Sequence, residues 1–129
     1  MEYIKVNFEL SYLDELGHVV QAAKIYFQRQ NVGFFEFSRK AELSEKIKLC
    51  KQLTLKISAI MDEVEGLKQS NANLSLTKQE VDLATTAIKL FDDGLVLKKS
   101  LTSDIGIKQE IESVQKDMQT IAVKLLQQN

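Results

Sequence analysis

The sequence contains no proline and no tryptophan, and only one cysteine, one histidine and five glycines in 129 residues. Each shortage excludes something. Proline removes a backbone donor and clashes with the preceding turn, so its absence leaves long helices uninterrupted. A single cysteine, Cys50, can form no intramolecular disulfide and builds no metal site by itself, which suits a reducing compartment. No apolar run approaches the roughly 18 residues of a membrane span. The opening Met-Glu-Tyr-Ile-Lys-Val lacks the basic start and apolar block of a signal peptide. The expectation is a cytoplasmic protein with no membrane among its partners. An excess of either charge is also missing: 17 basic and 18 acidic side chains leave a net charge of −1. A protein that wraps nucleic acid needs a clear basic excess to displace counterions, so that partner class is disfavoured.

What the chain has is apolar side chains at helical spacing. Hydrophobic residues make up 44% and charged residues 27%, the balance of a folded soluble domain. The length fits a single domain over 1–129, which can bury roughly two thirds of its unfolded surface. Ile4, Val6, Phe8 and Leu10 alternate with Lys5, Asn7 and Glu9, the period of a half-buried strand over 2–10. A competing helical reading joins Tyr3, Val6 and Leu10 to the stripe that follows. That stripe, Leu13, Leu16, Val20, Ala23 and Phe27, predicts a helix over 11–30 with Ser11 as its cap. Val32 to Phe37 is compatible with a second short strand or with a loop plugging the end of a bundle.

A second helix is expected over 39–69. Leu43, Cys50, Ile57 and Val64 repeat every seven residues, with Leu53, Ile60 and Leu67 at the companion position. Ser70-Asn71-Ala72-Asn73 reads as a turn. Thr77 and Glu80 have capping-box spacing, with Leu76 and Val81 as a hydrophobic staple, so a third helix should run over 77–100. Thr102, Ser103 and Asp104 offer caps for a fourth over 104–127. There Ile107, Ile111, Val114, Met118, Ile121 and Leu125 draw a bundle or coiled-coil seam. Short connections make neighbours antiparallel, so the fold class is mainly α, an up-and-down four-helix bundle with a short N-terminal strand. No internal repeat stands out.

Candidate sites are few. His18 falls about 150° from the apolar stripe of its helix, where a phosphotransfer histidine would sit. The lysine and small residue expected one turn later are replaced by Gln21 and Ala22, so an ordinary surface histidine outweighs that chemistry. Glu15 and His18 have the Glu-x-x-His spacing of di-iron bundles, but such a centre needs two histidines, and both residues should point outward. Asp62, Glu63 and Glu65, like Asp92 and Asp93, read as solvated helix faces rather than a magnesium site. Arg39, Lys40, Lys46, Lys48 and Lys51 could meet phosphate, yet they spread around their helix without interleaved aromatics. Cys50 lies at a core position, poorly placed as a nucleophile. No cofactor, metal or catalytic residue is assigned.

The surplus is apolar. Phe34, Phe35 and Phe37, with Ile25, are hard to bury within one four-helix bundle, and Leu49 and Leu55 sit off their main stripe. The leading expectation is a non-enzymatic protein–protein interaction module, an adaptor, an inhibitor or immunity-type partner, or a dedicated chaperone, with homo-oligomers as a secondary expectation. Histidine phosphotransfer at His18 and nucleic-acid binding through the basic start of the second helix are the alternatives.

Overall fold

A computed structural model describes residues 2–30 and 36–127. The elements run β1 (Ile4–Glu9), α1 (Leu10–Gln28), α2 (Phe37–Glu65), β2 (Asn71–Leu76), α3 (Lys78–Leu101) and α4 (Ile105–Gln127). The expected mainly-α bundle with an N-terminal strand is what forms.

Three local expectations change. Among the described residues the second strand is β2; the one expected over 32–37 falls on residues outside the described ones, except that Phe37 opens α2. Asn71 and Asn73 suggested a turn, but Ala72, Leu74 and Leu76 alternate with them and are buried. Those three pair antiparallel with Phe8, Val6 and Ile4. The outward asparagines bond across the strands, Asn7 Nδ2 to Asn73 Oδ1 at 2.9 Å and Asn71 Nδ2 to Asn7 Oδ1 at 3.3 Å. Ser11 is not a cap. The extended backbone of Glu9 runs straight into α1 with no side-chain cap bond. Finally, α2 stops at Glu65, so Leu67 falls in the following turn and is exposed. Lys68 closes that turn with a left-handed φ of 54°.

The start of α3 follows the capping box, with Glu80 N donating to Thr77 Oγ1 and Thr77 N to Glu80 Oε1. Asp104 begins α4 by accepting from Ile107 N at 3.1 Å.

An internal repeat, invisible in the sequence, organises the whole. Helices α1 and α3 begin at Leu10 and Lys78, and α2 and α4 at Phe37 and Ile105, a common spacing of 68 residues. At that spacing the buried side chains coincide. Leu13, Leu16, Val19 and Val20 of α1 match Val81, Ala84, Ala87 and Ile88 of α3. Cys50, Leu53 and Ile57 of α2 match Met118, Ile121 and Leu125 of α4. The chain is two β-α-α units. The repeat hides because it preserves the element bounds and most buried positions but rarely residue type.

The units clasp one another through two equivalent lysines. Lys56 Nζ on α2 donates to Ser75 O on β2, and Lys124 Nζ on α4 donates to Asn7 O on β1, both at 2.8 Å. Each second helix thus holds the strand of the other unit. Lys56 also meets the buried Glu80 at 2.7 Å. Helix α2 runs antiparallel to α3, with Lys46 and Leu49 beside Asp82 and Thr86. Tyr26 of α1 and Lys98 of α3 line one cavity, so the ends of α1 and α3 lie together, away from the sheet.

Candidate functional site

The units differ most around α4. In the first unit Gly17 lets α1 approach α2 closely: a Cβ there would lie 3.4 Å from Ile57 Cγ2. The matching residue of α3 is Thr85, which carries a branched side chain and lines the gap between α3 and α4. Between α3 and α4 a groove of about 1040 Å³ opens. Its floor is Ile88, Met118, Ala122 and Leu126, and its rims carry Lys89, Asp92, Glu112 and Lys116 with Gln109 and Gln119. Lys99 reaches across from α3 to Glu112 at 2.8 Å. That bond, with the ammonium charge, holds the Glu112 carboxyl below its ordinary range.

The second difference lies on the inner side of α4. Leu49 and Leu83, from α2 and α3, line one small cavity together. The residues matching them at the repeat spacing are Asp117 of α4 and Glu15 of α1. An apolar seam on one side of the molecule is therefore an acid–acid seam on the other. Burial, then the charge and hydrogen bond of Asp117, then the charge of Asp14, push the Glu15 carboxyl above its ordinary range. Glu15 Oε2 is buried with no donor facing it. Two ionised carboxylates are both acceptors, so this contact becomes a hydrogen bond only when the pair holds a proton.

This corrects the outward placing of Glu15, which is half-buried. His18 is where expected, its side chain 79% exposed and 3.5 Å from Asp14 Oδ2. Among the described residues no group of three His, Cys, Asp or Glu side chains gathers to hold a metal. Cys50 is fully buried, and burial pushes its thiol up to about 11.

The basic stretch does not converge. Arg39 turns to Glu36 at 3.4 Å and Lys46 to Glu42 at 3.3 Å, while Lys40, Lys48 and Lys51 are exposed on α2. Of the apolar candidates, Phe37 and Ile25 are exposed, and Phe34 and Phe35 lie outside the described residues. Leu55 is exposed, whereas Leu49 packs against the core. Sequence reasoning missed Val96, Leu97, Leu101 and Ile105, all exposed at the α3–α4 turn. It also missed the groove, which no motif marks. Among the described residues no helix is long and apolar enough to cross a membrane. Set against protein-family models, curated proteins and solved structures, the chain matches none of them.

Proposed function

We propose that this chain is a non-enzymatic protein–protein interaction module, of the adaptor, inhibitor or chaperone kind, whose α3–α4 groove receives an amphipathic helix of another protein. The groove is the observation that carries the reading. It follows α4 from Gln109 to Leu126, about 25 Å at 1.5 Å per residue. That is the length of a partner helix of four to five turns. An apolar floor between rims bearing both charges suits such a helix, which lays its anchors at every third or fourth residue into the cleft. Leu126 at one end and the neighbouring Val123 remain exposed, extending the apolar track beyond the floor.

The test compares proteins retained from the source cell by the immobilised chain and by two variants. Ala122→Arg fills the groove floor with a long cation, and Leu101→Glu alters the distant α3–α4 turn. A partner held by the parent and by Leu101→Glu but lost from Ala122→Arg supports the groove. If Ala122→Arg shows the parent's helical circular dichroism and retains everything the parent retains, the groove is not the site.

A further inference from the structure

We infer that the end of the bundle opposite the sheet docks on an anionic lipid surface, with the α3–α4 turn and the adjoining ends of α1 and α2 seated at the headgroup level. The inference is independent of the groove and uses a different face.

The α3–α4 turn lies at this end beside the last turn of α1, since α1 and α3 finish side by side. Leu101 is 78% exposed, Ile105 72% and Phe37 68%, and Leu97, Val96 and Tyr26 are exposed beside them in the chain. Side chains this open stand out from the helix ends, Tyr26 also bordering the cavity between α1 and α3. Large apolar residues at such exposure mark an association surface. A flat apolar–polar boundary suits projecting tips better than a partner's protruding side chain would.

Charge selects the kind of surface. Residues 25–30, 36–40 and 93–108, which make this end, carry six cations and three anions. Residues 2–14, 54–82 and 122–127, around the sheet, carry five cations and eight anions. A molecule of net charge −1 is thus basic at the tips and acidic at the sheet. Near an anionic bilayer that polarity turns the tips inward and the sheet outward. Lys98, Arg29 and Lys40 flank the apolar side chains as interfacial segments require. A second copy is a poorer occupant: tip against tip would bring two basic ends together. Tip against sheet would press leucines onto the polar Asn7, Asn71 and Asn73 row. No spanning helix is needed, because the binding is peripheral.

The experiment is cosedimentation of the full chain with large unilamellar vesicles, either phosphatidylglycerol and phosphatidylcholine mixed or phosphatidylcholine alone. The chain should pellet with the mixed vesicles at low salt, not with the neutral ones, and be released as salt rises. Leu101→Glu with Ile105→Glu should abolish pelleting, and Lys98→Gln should weaken it about five-fold. These sites are exposed, and the variants should keep the parent's helical signal. No pelleting of the parent at low salt overturns the proposal. So does binding that ignores lipid charge or survives the double substitution. Self-association seen by light scattering and lost with Leu101→Glu, without vesicle binding, assigns the tips to a second copy instead.

Discussion

The acid seam between α1 and α4 gives a sharp test of the internal repeat. If Glu15 and Asp117 truly stand where Leu83 and Leu49 stand in the other unit, replacing both by leucine should close the second seam as the first is closed. Leu83 is 4% exposed and Leu49 packs against the core. Full burial of a leucine is worth about 1.5–3 kcal/mol, and half that for the less enclosed α4 side gives a combined gain of about 2–4.5 kcal/mol. The gain should depend on pH. The folded protein raises the Glu15 carboxyl above its unfolded value, so the pair's contribution is fully present below the ordinary glutamate range. It is lost as pH rises through the folded value. The advantage of Glu15→Leu/Asp117→Leu over the parent should therefore be small near pH 4 and reach its full size near pH 7. Urea unfolding at the two pH values, followed by circular dichroism at 222 nm, measures both terms. A double variant less stable than the parent at pH 7, or an advantage independent of pH, would refute the reasoning.

The crossed lysines should not be equal in worth. Lys56→Met strands the buried carboxylate of Glu80; with the lysine itself 29% exposed, the cost is about 2 kcal/mol, or a Tm lower by roughly 10 °C. Adding Glu80→Gln should return part of it, whereas Lys124→Met, which frees only an exposed carbonyl bond, should cost under about 1 kcal/mol. Equal losses would contradict the asymmetry. Cys50, with its thiol pushed up to about 11 in the core, should react with a disulfide reagent at pH 8 at least ~100-fold slower than in urea. Native labelling at the unfolded rate would place it at the surface.

The parts of the fold that were legible in the sequence are those that a single helix or strand decides alone. The stripe of α1, the seam of α4 and the Thr77–Glu80 box each follow from local spacing. The alternation of Ile4, Val6 and Phe8 sufficed for β1. The failures needed two segments at once. Asn71-Ala72-Asn73 looks like a turn until Val6 and Phe8 supply the other half of its apolar row. Glu15 looks solvated until α4 brings Asp117 against it. The groove is likewise a relation between helices: Ile88 of α3 lines it only together with Met118 and Ala122 of α4. The exposure of Ile25 was legible because it lies off its helix's stripe, and that of Phe37 because three aromatics crowd one short segment. Leu97, Leu101 and Ile105 were missed because the apolar periods of α3 and α4 run up to the turn and seem to absorb them.

The internal repeat also separates what holds the molecule together from what makes one half unlike the other. The shared features, the apolar stripes and the two lysines that grip the opposite strand, join the units so that neither strand is held by its own second helix. The features that differ gather on α4. It borders the groove toward α3 and faces α1 through an acid pair where its counterpart has leucines. A helix with weaker neighbours on two sides can shift with less loss of burial than α2, which is closed by Gly17 on one side and by Leu49 and Leu83 on the other. Adjustment to a partner helix should therefore be confined to α4, while the sheet and α2 stay fixed. Hydrogen exchange would show it as faster opening across 109–126 than across the matching 41–58. Holding Glu15 and Asp117 together at acid pH should narrow that difference.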